Sequence, residues 1–157
     1  MTPSERIPFP SLAWFQKLCE RMNADRVRYE HLGYVDCIVE FAVRDARGPG
    51  RPLRVQVTFD EFSVTDVRDA GPADSERADF TLEADAKAWR EMIESIAKGK
   101  GRPALDQTLN YLSHFDSPFR VSAADPLKRD LYFRYNQSLQ EFVNASALGV
   151  TTFDERR

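Results

Sequence analysis

Between Ala78 and Pro103 the hydrophobic period changes within one segment, ADFTLEADAKAWREMIESIAKGKGRP. Phe80 and Leu82 alternate with polar neighbours, which is the period of a strand with one buried face. From Asp85 onward Trp89, Met92, Ile93 and Ile96 recur three and four apart, as on one stripe of a helix. Gly99 ends that helix and Pro103 follows shortly after. In a chain whose strands are grouped, as they are here, helices are expected to cover one face of the sheet. Trp89, Met92 and Ile93 are therefore expected to face the sheet.

The rest of the chain supplies that sheet. Gly33 introduces a strand over about 36–45, with Cys37, Val39, Phe41 and Val43 alternating with Ile38, Glu40, Ala42 and Arg44. ARGPGRP carries two glycines and two prolines in seven residues and reads as a turn. In LRVQVTF, Leu53, Val55, Val57 and Phe59 face one way and Arg54, Gln56 and Thr58 the other, which predicts a sheet with one wet face. A third strand over about 61–68 and a fourth over 78–83 follow, the first three forming an antiparallel meander. Phe119 and Val121 predict a fifth strand.

Helices flank these strands. Ser11 caps a helix to about Met22 that buries Leu12, Phe15, Leu18, Cys19 and Met22, with Trp14 bordering that stripe. Residues 104–112 predict a short helix with Leu105, Leu109 and Leu112 on one face. Asp125-Pro126 opens a long helix to about Ala147, with Leu131, Tyr135, Leu139, Phe142 and Val143 inward. Tyr132 and Phe133 lie off that stripe, so aromatics surround much of this helix. Strands grouped together and flanked by helices indicate an α+β fold, a five-stranded, mostly antiparallel sheet with helices on one face. The expected organisation is an irregular, proline-rich arm over 1–10, one domain over 11–147 and a tail over 148–157.

Composition narrows the chemistry. A net charge of −3 and the absence of a basic block leave no source for phosphate neutralisation along a nucleic acid. No apolar run approaches the roughly 18 residues of a membrane span, and MTPSERIPFP has no apolar signal core, so a cytoplasmic protein is expected. Cys19 and Cys37 sit among apolar residues and read as reduced, buried thiols. With His31 and His114 the only histidines, no metal-ligand spacing is present, and no metal or cofactor is expected. KGKGR at 98–102, the densest basic stretch, reads as a solvated turn after a helix. The nearest approach to a catalytic cluster is SHFDSP, where Asp116 could orient His114 as a base.

The order of these elements resembles the sterol carrier protein 2 family. The residues that carry the resemblance are those of 78–109: Asp79 and Thr81 in the strand, Trp89 in the helix, Gly99-Lys100 in the turn, then Pro103. The family's glycines around its last short strand are missing from NYLSHFDSPFRVSAADP. The resemblance implies a five-stranded sheet with helices on one face, enclosing an apolar tunnel for a lipid or other hydrophobic molecule, with no catalytic residues. On that basis the expected ligand-binding residues are Trp89, Met92, Ile93, Phe115, Phe119, Tyr135, Asn136 and Phe142. Two alternatives stand beside it. One is an interaction or oligomerisation module with a filled core, using the aromatic C-terminal helix for a homodimer or partner protein. The other is an enzyme on a hydrophobic substrate that uses His114 and Asp116.

Overall fold

The computed structural model describes residues 6–153. In chain order these form β1 (Arg6–Phe9), α1 (Leu12–Ala24), α2 (Arg26–Leu32), β2 (Val35–Arg44), β3 (Leu53–Glu61), β4 (Ser63–Asp69), β5 (Phe80–Asp85), α3 (Ala86–Lys98), α4 (Leu109–Leu112), β6 (Arg120–Ser122), α5 (Pro126–Arg134), α6 (Asn136–Asn144) and β7 (Val150–Phe153). The main sheet has the order β4-β3-β2-β5-β6. Three of its four pairings are antiparallel, and β2 with β5 is parallel. The expected mostly antiparallel α+β sheet is present. The parallel pair arises because β5 returns from the far edge to the free side of β2.

Local chemistry sets the helix starts. The Ser11 hydroxyl accepts the Trp14 N–H at 3.1 Å, and the Asp85 carboxylate accepts the Ala88 N–H at 2.8 Å. Asp125 does the same for Leu127, with Pro126 in the first turn. Each satisfies an N–H that helix geometry leaves without a partner.

The helices cover the sheet face formed by Val39, Phe41, Val43, Val55, Val57, Phe59, Phe80 and Leu82, all buried. The opposite face is less wet than the alternation in LRVQVTF suggests. Gln56 is fully buried there, and its amide donates to Glu40 at 3.1 Å and to the Asp74 carbonyl at 2.8 Å. Arg54 donates to Glu40 at 3.0 Å, and Arg77 to the Gln56 side-chain oxygen at 3.0 Å. The β4–β5 loop thus folds back over the polar face and satisfies it, as buried polar groups require.

Several expectations need correction. The segment read as an irregular arm contains β1, and the expected tail contains β7; the two pair in parallel, Arg6 with Val150 through Phe9 with Phe153. Proline is tolerated in such an edge ribbon, and the Trp14 indole anchors it by donating to Thr151 at 3.1 Å. The parts of arm and tail at 1–5 and 154–157 lie outside the described residues. α2 was not expected in the polar stretch after α1; it is held by one buried residue, Tyr29. The helix expected over 104–112 is a 3-10 turn followed by the four-residue α4, and Leu105 is exposed. The expected 126–147 helix bends at Tyr135 into α5 and α6. That bend lets two different stripes reach the core: Tyr132 on α5, and Leu139, Phe142 and Val143 on α6. Among the described residues no helix is long and apolar enough to cross a membrane.

Candidate ligand-binding site

The space between sheet and helices is where the expected tunnel would lie, and it is filled by side chains. Phe41 of β2 stacks between Phe15 of α1, 5.4 Å between ring centroids, and Phe142 of α6, 5.7 Å. Phe59 closes against Phe142 edge-on at 5.2 Å. Trp89 lies at the centre of a second group, edge-on to Phe119 at 5.0 Å and to Phe15 at 6.1 Å, with Phe9 tilted at 5.8 Å. Its indole N–H donates to the Ala42 carbonyl at 3.1 Å, so the one polar atom of the side chain is satisfied within the core. Met92 and Ile93 are buried beside it.

Five of the eight expected ligand-binding residues, Trp89, Met92, Ile93, Phe119 and Phe142, therefore come together in one buried layer. The other three do not join them. Phe115 is 86% exposed and stacks edge-on with His114. Tyr135 and Asn136 are half-buried at the bend between α5 and α6. The His114–Asp116 pair has a different arrangement from the catalytic one. Asp116 accepts from Arg129, at 3.3 Å and 3.5 Å, and from the Val121 N–H, while His114 is exposed.

An open apolar groove exists at the edge of this layer. It has a volume of about 670 Å³ and is lined by Pro8, Phe9 and Pro10, by Ala46 after β2, by Ala86, Lys87 and Arg90 of α3, and by Thr152 and Phe153 of β7. Its size lies within the roughly 300–1,000 Å³ of small-molecule sites. Phe9 links it to the interior: the ring lines the groove, is 2% exposed, and contacts Trp14 at 4.8 Å and Trp89 at 5.8 Å. On the outer wall Arg90 lies over the Phe153 ring at 4.7 Å and pairs with Glu94 at 3.2 Å.

Sequence reasoning placed the α3 wall of this groove and missed the β1 and β7 walls. Pro8-Phe9-Pro10 reads as an arm and the 150–153 segment as a tail, because their strands exist only in each other's company. The one legible signal was VTTF, β-branched and aromatic, which has strand character.

No protein-family model matches the chain, and no curated protein matches it in sequence. Similarity lies in structure. A solution structure of a conserved hypothetical protein from Thermus thermophilus, described as a possible sterol carrier protein, superposes with a TM-score of 0.63 at 15% identity, covering 97% of each chain. A crystal structure of sterol carrier protein 2 superposes with a TM-score of 0.62 at 17% identity, over 88% of this chain and 96% of the other. The fold that the 78–109 pattern resembles is the fold the chain has: that of sterol carrier protein 2.

Proposed function

We propose that the protein binds a hydrophobic small molecule without transforming it, and that the ligand is seated in the groove between β1, β7 and the start of α3. The observation that carries this reading is the groove itself: a 670 Å³ apolar recess whose floor, Phe9, rests on Trp89. One fold neighbour is sterol carrier protein 2, and the proposal carries that role over only coarsely, as an apolar ligand of unstated identity.

In this reading Trp89 is the inner wall behind Phe9, while Met92, Ile93, Phe119 and Phe142 form the layer that a deeper ligand would have to displace. Tyr135 and Asn136, at the bend between α5 and α6, are not among the residues that line the groove.

The test is uptake of N-phenyl-1-naphthylamine, together with solvent extraction and mass spectrometry of freshly purified protein. Trp14 and Trp89, the only two tryptophans, both contact Phe9, so a bound probe should quench their emission. Ala86→Trp fills the groove from the half-exposed first turn of α3 and should weaken uptake by at least about tenfold. No uptake and no extracted molecule, or unchanged affinity in Ala86→Trp, sinks the proposal. A second reading, self-association through α5, draws on the exposed Leu127 and Phe133 and on the filled core. A dimer in sedimentation that Phe133→Ser dissociates would favour it.

A further inference from the structure

The C-terminal end of α3 opens on a second cleft, of about 640 Å³, whose chemistry differs from that of the groove. Its walls include Arg21, Arg28, Lys100 and Arg102 as cations, and Asp25 and Glu141 as anions. Arg28 donates to both carboxylates, at 2.8 Å to Asp25 and 2.6 Å to Glu141. That trio carries one net negative charge, and Lys100 and Arg102 set two cations against it. Arg21 donates to the Ala145 carbonyl at 3.0 Å, which fixes its guanidinium on the same wall. A chain with a net charge of −3 thus gathers four cations and two anions around one concave, solvent-facing site.

The turn Gly99-Lys100-Gly101-Arg102 is built to present those charges. Lys100 N–H bonds to the Ala97 carbonyl at 3.1 Å and Gly101 N–H to the Ile96 carbonyl at 2.9 Å, the paired bonds of a Schellman ending. In that motif the residue after the cap is left-handed and normally glycine. Here it is Lys100, at φ 54°. Glycine stands on either side, each for its own reason: a Cβ on Gly99 would meet the Arg102 carbonyl oxygen at 1.8 Å, and Gly101 has φ 98°. Lys98 already places a cation against the helix dipole in the last turn, so the dipole does not account for a lysine in the strained position. Strain held at a charged residue facing a cleft points to a use for the charge.

We propose that this cleft binds a small molecule bearing a phosphate-type polyanion, held by Lys100 and Arg102 with Arg21 behind them. The inference is independent of the groove, since the two sites lie at opposite ends of the 13-residue α3, about 20 Å apart. Ala97, Ala147 and Leu148 give one side of the cleft an apolar lining, so the phosphate could belong to a free metabolite or to an amphiphile headgroup.

Titration with inorganic pyrophosphate and, separately, hexyl phosphate at fixed ionic strength tests this, followed by amide chemical shifts and calorimetry. Saturable shifts confined to 99–102 and Asn144 are expected. Lys100→Gly, which suits the left-handed turn, and Arg102→Gln should each weaken binding about tenfold. Tighter binding of pyrophosphate assigns the site to a free phosphorylated molecule, and tighter binding of hexyl phosphate to a headgroup. Shifts that grow without saturation for both probes, or equal affinity in the folded double variant, overturn the proposal.

Discussion

Replacing Phe9 by alanine tests whether the first strand belongs to the core or merely lies along it. The ring is 2% exposed and touches four others: Trp14 at 4.8 Å, Trp89 at 5.8 Å, Phe153 at 6.2 Å and Phe15 at 6.4 Å. Removing a buried phenylalanine costs about 3–5 kcal/mol, the upper part of the range applying where neighbours cannot collapse into the space. Two features bear on that collapse. β1 is paired only with β7, so it can shift inward, which favours the lower end. Trp89 and Trp14 cannot follow, because their indoles are tied to Ala42 and Thr151. The expected loss is therefore about 3 kcal/mol, or a fall in melting temperature of about 6–12 °C for a domain of this size. Urea unfolding followed by far-UV circular dichroism, with tryptophan emission as a second probe, reads it. A loss below about 1 kcal/mol would falsify the argument, since surface substitutions rarely exceed half that. The N-terminal segment would then be the loose arm that its prolines suggest.

Other perturbations have defined outcomes. Trp89→Ala should cost about 3–5 kcal/mol in the same urea assay, since it empties the centre of the interlayer core. Gln56→Ala removes the donor to Glu40 and Asp74 at a buried position, and should cost about 1–3 kcal/mol despite lying on the polar face. Burial pushes the Cys19 thiol up to about 12 and raises those of Cys37 and the Tyr29 and Tyr132 phenols. Each folded group thus holds its proton where the unfolded chain releases it. Their contribution to stability is complete below about pH 9 and lost as pH rises toward 12, so the urea midpoint should fall across that interval. Both thiols should also resist Ellman's reagent until the chain unfolds.

What could be read in the sequence follows a physical division. Elements whose signal is local were legible: the alternation of β3, the stripe of α3, the caps at Ser11, Asp85 and Asp125. Elements that depend on a distant partner were not. β1 and β7 are short, polar in part and separated by most of the chain, so neither has a period long enough to detect. Tyr132 shows a third case. Its period places it off the α6 stripe, and only the bend at Tyr135 explains how it reaches Ser113 at 2.8 Å and the edge of Phe80 at 5.9 Å. The groove was hidden for the same reason as the strands that build it.

The interlayer core illustrates a limit of pattern itself. Alternation along β2 and β3 and the stripes of α3 and α6 specify which side chains point between the layers, and they did so correctly. They carry no information on whether the volumes delivered there close the gap. A layer walled by valine and leucine and a layer plugged by Phe15, Phe41, Phe59, Phe142 and Trp89 have one and the same binary pattern. Here the rings do close it, each in stacked or edge contact with the next. Opening a tunnel would separate those rings from one another, and such pairs contribute roughly 0.5–1.5 kcal/mol each beyond their buried area. A ligand resting against Phe9 and Phe153 breaks none of them. That difference in cost is why the proposed site lies in the groove and not in the tunnel.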